Sequence, residues 1–146
     1  MRTKYRQPAR LALLAVLILA CIDLIVKTVK ATGTISKSDL SGPWAATLTG
    51  DTGCGIATSH VTFTLSTTGS AVATVTSHTS GCGNISNAQT FTIASLNPTG
   101  SGTATLTCGT GCDFHFDIQV TPDRATFSVV DVTDPGSFLE GVAIHQ

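Results

Sequence analysis

The chain has 146 residues, of which 12% are charged, 5% aromatic and 42% hydrophobic, enough for one ordinary domain and too few for two. Six of the eight Lys and Arg residues fall within the first 31 positions; from Thr32 onward Lys37 and Arg124 stand against eight acidic residues, a net charge of −6. A body this acidic repels phosphate backbones, which excludes nucleic acid as a partner, and the preponderance of Thr, Gly and Ser over Leu, Glu and Lys excludes a coiled coil.

Residues 1–31 read as a signal peptide or membrane anchor. Arg2, Lys4, Arg6 and Arg10 precede an apolar run from Leu11 to Ala20, which resumes after Cys21 and extends to Val26, the order of an export signal. Three outcomes compete. Cleavage after Val29-Lys30-Ala31 satisfies the small-residue rule. Leu17-Ile18-Leu19-Ala20-Cys21 resembles a lipoprotein box with Cys21 as lipid carrier, although an apolar stretch follows where a polar tether is usual. An uncleaved anchor is interrupted by Asp23 and is short of the ~20 residues that span a bilayer. Each outcome places the remainder in the cell envelope or outside the cell, with membrane contact confined to the N-terminal segment.

Residues 32–42 form a polar lead-in. Apolar and polar residues then alternate from Trp44 to the end, with no helical period. This predicts an all-β domain over 43–146, with strands near 43–50, 58–66, 70–79, 89–96, 101–108, 112–121, 124–132 and 137–146. Turn chemistry sets the registers. Thr67-Thr68-Gly69 pairs Phe63 with Ala73 and Val61 with Val75. Asn97-Pro98-Thr99-Gly100 pairs Ile93 with Ala104 and Phe91 with Leu106. Pairing Cys108 with Cys112 across Gly109-Thr110-Gly111 aligns Leu106 with Phe114 and Ala104 with Phe116. A two-residue turn at Pro122-Asp123 pairs Ile118 with Phe127 and Phe116 with Val129. Every hairpin then presents one continuous apolar face. Short connections throughout favour an eight-stranded antiparallel up-and-down barrel, with a β-sandwich as the alternative.

Setting Cys21 aside, Cys54, Cys82, Cys108 and Cys112 make an even count in an exported domain, the mark of disulfides rather than zinc. In an up-and-down barrel the connections 51–57, 79–88, 109–111 and 133–136 share one end, the longer-looped one. All four cysteines then lie at or beside that end, and the pairs Cys54–Cys82 and Cys108–Cys112 follow, although four cysteines permit two other pairings.

Ser41-Gly42-Pro43-Trp44, opening the first strand, resembles the Gly-x-Trp of the calycin barrels, the lipocalins and avidins. Thr121-Pro122-Asp123-Arg124 resembles the lipocalin loop between strands six and seven. The resemblance implies a lumen that takes a small apolar ligand through the long-loop end. It departs from the family in having no Arg after Arg124 to pack on Trp44, and only one Trp where the avidins need several for biotin.

Candidate chemistry is sparse. Asp113, His115 and Asp117 share one face of strand six, the pattern of a divalent-metal site or of an ordinary polar exterior. Ser128, placed opposite Asp117 and diagonal to His115, completes a triad only on an open surface with no oxyanion donors. Glu140 has two registers open to it. In one it faces the lumen with Trp44, Phe63, Phe116 and Phe127, where it would orient a ligand. In the other, one residue displaced, Leu139, Gly141 and Ala143 face inward and Glu140 lies in water. Thr62/Thr64, Thr74/Thr76, Thr90/Thr92 and Thr103/Thr105/Thr107 fall on the outer face, rows that suit ice or polysaccharide on a flat sheet and a solvated exterior on a twisted one. No phosphate-binding loop, nucleophile elbow or HExxH motif is present, so no cofactor and no enzymatic activity are expected. The expectation is an exported barrel that binds a small apolar ligand or a partner at its long-loop end. The alternatives are a structural or surface-interaction module with a packed interior, and Thr-rich surface binding.

Overall fold

Alternating side chains allow a strand to bury one face and wet the other, and eight such strands close here on themselves. In the computed structural model, which describes residues 33–107, 109, 113–133 and 137–146, they are β1 (Gly42–Asp51), β2 (Ile56–Leu65), β3 (Ser70–Thr79), β4 (Gly83–Leu96), β5 (Ser101–Thr107), β6 (Asp113–Val120), β7 (Thr126–Asp131) and β8 (Phe138–His145). Each pairs antiparallel with its sequence neighbour, and β8 pairs with β1 to complete the barrel. The sandwich alternative is thereby set aside. The N-terminal segment with Cys21, and both Cys108 and Cys112, lie outside the described residues.

Three of the four hairpin registers read from turn chemistry and the Cys108–Cys112 pair are those observed. Val61 faces Val75 and Phe63 faces Ala73; Phe91 faces Leu106 and Ile93 faces Ala104; Ala104 faces Phe116 and Leu106 faces Phe114. A bulge between Ile93 and Ser95 then shifts the β4–β5 ladder before its turn.

Two expectations are corrected and one open register is decided. First, β6 and β7 are offset by two residues, so that Val120 faces Phe127 and Ile118 faces Val129. The connection is longer than a two-residue turn: Thr121 and Thr126 close it, the Arg124 N–H donates to the Thr121 carbonyl, and Arg124 takes the left-handed conformation at φ 61°. Second, β4 begins at Gly83, so the expected long loop 79–88 is a tight turn at the head of a hairpin running from Thr79↔Gly83 to Ser70↔Thr92. Third, Glu140 adopts the displaced register. It lies beside Val130 on the exposed outer face, while Leu139 and Ala143 are buried within.

The lead-in is more than a polar spacer. Lys37–Leu40 form a turn of 310 helix, and residues 34–41 make a strap across the tight-turn end of the barrel. Ile35 and Leu40 join the core. The Ile35 N–H donates to the Pro98 carbonyl at 3.0 Å, and the Trp44 indole N–H donates to the Leu40 carbonyl at 2.8 Å. Both Lys and Arg residues found after residue 31 hold this strap. Lys37 Nζ donates to the Ala94 carbonyl, at the bulge, at 2.9 Å. Arg124 lies 3.6 Å from Asp39 and donates to the Thr34 carbonyl at 3.2 Å.

At the opposite end the turns after β1 and β3 are joined by the Cys54–Cys82 disulfide. The Gly81 N–H donates to the Cys54 carbonyl at 2.9 Å. A Cβ at Gly81 would stand 2.5 Å from that same oxygen, so only glycine lets the two turns approach this closely. Cys54 and Cys82 thus share one rim, as an up-and-down barrel requires.

Candidate functional site

The barrel interior is the first place to seek a site, and its side chains largely fill it. Phe127 stands at the centre of an aromatic cluster, its ring centroid 4.9 Å from Trp44, 6.3 Å from Phe91 and 6.5 Å from Phe63. Phe63 and Phe91 lie 4.9 Å apart. Between these large groups the walls carry Ala46, Ala71, Ala73, Ala104 and Ala143, all buried. Large residues set against small ones interdigitate to high density. Among the described residues, an interior space walled by residues such as Ala46, Leu48, Phe63, Leu106, Phe116 and Val129 is about 20 Å³, near the size of one water-sized sphere. Every one of its lining residues is apolar, and a water there would find no partner.

Trp44, Phe63, Phe116 and Phe127, expected in the lumen, are all there and all buried. Glu140 is not: it lies on the outer face, and among the described residues the buried core carries no acid. Asp131 follows the inward-facing Val129 on β7, toward the loop end, and is half-buried. Sequence reasoning gave Asp131 no role. Its carboxylate accepts the Thr133 N–H at 2.9 Å and the Thr133 hydroxyl. Thr133 Oγ1 in turn accepts the His115 N–H at 2.7 Å. Such an aspartate turn ends a strand, and the Asp-x-Thr spacing of residues 131–133 was the available signal for it.

On the outer wall, Asp113, His115 and Asp117 are exposed and share a face. Among the described residues no group of three His, Cys, Asp or Glu side chains is arranged to hold a metal ion. The two-residue offset of β7 places Ser128 opposite Gln119 and Val130 opposite Asp117, which removes the serine from the supposed triad. The threonine rows do lie on the outer face, on a wall that closes into a barrel.

The topology divides this exterior into two halves that differ in charge. From Thr52 to Cys112 the sequence contains no Asp, Glu, Lys or Arg, and that stretch supplies β2 to β5. Their outer face is rich in hydroxyl and amide groups, with Ile56, Val72 and Ile85 exposed among them. It includes His78, whose Nδ1 bonds Asn84 Oδ1. The other half, β6 to β8 with the end of β1, carries Asp51, Asp113, Asp117 and Glu140 together with exposed valines, Ile144 and Phe138.

Among the described residues two acids are shifted, both at the strapped end. Asp39 accepts the Ser36 hydroxyl and the Ser36 N–H, which hold its carboxyl below the usual carboxylate range, with Arg124 adding to the effect. The Thr121 hydroxyl, and then the Ala125 N–H, do the same for Asp123. Both groups brace turns.

The class these observations define is a closed eight-stranded antiparallel barrel with a disulfide at one rim and a strap across the other. No family model matches the chain, and no curated protein matches its sequence.

Proposed function

We propose that the barrel is a non-enzymatic, exported surface-interaction module with a solid interior. The observation that carries this reading is the size of the internal space. Among the described residues the space at the centre of the core is about 20 Å³, whereas small-molecule pockets occupy about 300–1,000 Å³. A carrier of apolar ligands would need several of the aromatic side chains to leave their places together. The interactions of this chain are then made by its outer walls. Export is supported by the Cys54–Cys82 bond, which belongs in an oxidising compartment, and by the basic-then-apolar N-terminus.

Kinship with the calycin barrels belongs to the same proposal. Gly42-Pro43-Trp44 opens β1 at the strapped end, with Trp44 buried against Phe127. Where the resemblance leads one to look for an Arg packed on that Trp, His145 stands edge-on instead, at 4.9 Å. Under this reading the chain keeps a calycin-like layout while its lumen is filled.

Native mass spectrometry of the full chain from its own source tests the reading. A bare polypeptide mass, corrected for processing and disulfides, is expected. A stoichiometric small apolar molecule carried inside the barrel would overturn it.

A second reading rests on the charge-free face of β2 to β5, which is suited to a neutral polymer of hydroxyl groups. Retention on an insoluble neutral polysaccharide, lost on placing lysines at Thr62 and Thr74, is its expected signature. Ice is a poorer match, because a closed barrel twists where an ice plane is flat. Thermal hysteresis in the purified protein would reverse that ranking.

A further inference from the structure

We infer that the outer face of β7 and β8 is a docking surface for a basic, amphipathic peptide segment of a partner protein. The inference rests on the reading of the barrel as a surface-interaction module and names the surface and its partner.

Single apolar side chains exposed on a strand are ordinary. The group here is contiguous and crosses two strands. Val130 pairs with Glu140, Ser128 with Val142 and Thr126 with Ile144, and directly opposed side chains on one face of such a ladder lie about 4.5–5.5 Å apart. Val130, Phe138, Val142 and Ile144 are each 47–57% exposed. Over part of this face runs a shallow trough of about 570 Å³, lined by Val130, Glu140, Val142 and Ile144 among others. Apolar patches rimmed by polar groups mark sites of association.

Charge selects the occupant. Glu140 sits inside the patch. Asp117 borders it through its pairing with Val130, and Asp51 through its pairing with Phe138. No Lys or Arg occurs on β1, β6, β7 or β8. The exported part has two basic residues, and both are engaged by the strap at the closed end. Among the described residues, neither Asp117 nor Glu140 takes part in an ion pair. A second copy docked about a two-fold axis through the patch would bring Glu140 against Glu140, and like charges at an interface are unfavourable. An anionic membrane is repelled for the same reason. A peptide that alternates apolar side chains with Lys or Arg meets both demands. Its apolar groups cover the valines and Phe138, and its cations meet Glu140, Asp117 and Asp51.

The test is titration of the full chain, in an uncharged detergent, against a fluorescein-labelled Lys/Leu amphipathic peptide, read by anisotropy. Saturable binding is expected, weakening as salt is raised. It should fall by about tenfold or more in Glu140→Lys and in Val142→Ser. It should be unchanged in Thr76→Lys, on the opposite wall. Both patch substitutions are at exposed positions, and unaltered thermal unfolding identifies the variants that retain the fold. Independently of any variant, the matching Glu/Leu peptide should not bind. The proposal is overturned by an absence of saturation up to about 1 mM peptide, by equal binding of Lys/Leu and Glu/Leu peptides, or by indifference of a folded Glu140→Lys. It is also overturned if sedimentation shows the chain dimerising through this face, with Phe138→Ser abolishing the dimer. A lumenal ligand found by mass spectrometry would refute the solid-interior reading while leaving this titration unaffected.

Discussion

His145 stands edge-on to Trp44, the two ring centroids 4.9 Å apart with their planes at 80°. One residue belongs to the first strand and the other to the last, and their own strands pair through this same couple. The contact therefore joins the two ends of the ribbon on which barrel closure depends. On its other sides Trp44 packs against Phe127 and donates its indole N–H to the Leu40 carbonyl. One side chain thus links the strap, the first strand, the core and the last strand.

Trp44→Phe keeps most of the ring but leaves the buried Leu40 carbonyl without its donor. We expect a loss of about 1–3 kcal/mol, measured by urea unfolding. His145→Ala should cost less, about 0.5–1.5 kcal/mol, the worth of an aromatic pair. A loss from His145→Ala exceeding that from Trp44→Phe would invert the hierarchy argued here.

Gly141 lies opposite Leu48 on β1. A Cβ there would stand 2.0 Å from the Thr47 carbonyl oxygen and 2.8 Å from Leu48 Cδ2. Because the first of these is backbone, relief requires the β1–β8 seam to part. Gly141→Ala should cost about 1–3 kcal/mol, against a change within about 0.5 kcal/mol for Val142→Ala beside it on the outer face. Equal effects at the two positions would show that the seam yields freely.

Reducing the Cys54–Cys82 bond, or replacing both residues by Ser, removes a cross-link spanning a sequence separation of 28. Loop entropy alone predicts a loss of about 3–4 kcal/mol. Comparison of the oxidised and reduced chain by denaturant unfolding checks it, and unchanged stability would contradict the assignment.

The Asp39 carboxyl is held low by the Ser36 hydroxyl and N–H, and by Arg124. A depressed native value means the contribution is present above the unfolded value of about 3.9 and is lost as pH falls through the lower native one. The strap should therefore loosen in acid. Wild type and Asp39→Asn should differ in melting temperature at neutral pH and converge as the pH falls through the lowered native value. A gap that persists in acid would assign the effect to packing instead.

How much of this was legible varied with the kind of signal. Loops of defined turn chemistry, such as Thr67-Thr68-Gly69, fixed their ladders correctly. Pro122-Asp123 did not, because the left-handed Arg124 lengthens that turn. A slip of two residues keeps Phe127 and Val129 on the inner face, so the apolar pattern could not detect it. In β8 both faces are apolar: Phe138, Val142 and Ile144 on one, Leu139, Gly141 and Ala143 on the other. The smaller set is inward because the seam with β1 leaves no room for a Cβ at 141. Side-chain volume decided that register, and alternation does not carry volume. The start of β4, Gly83-Asn84-Ile85-Ser86-Asn87, has poor strand propensity and is held by pairing with β3. Of the candidate site, the buried aromatic residues were readable. The exposed patch was not, since it depends on the register of β8.

The bond between Cys54 and Cys82 has a mechanical consequence. If the molecule is stretched from its two ends, the residues between the sulfurs stay slack inside a covalent ring. At about 3.4 Å per residue the 28-residue separation conceals roughly 100 Å of contour. Single-molecule extension should release that length only after a reductant has been added.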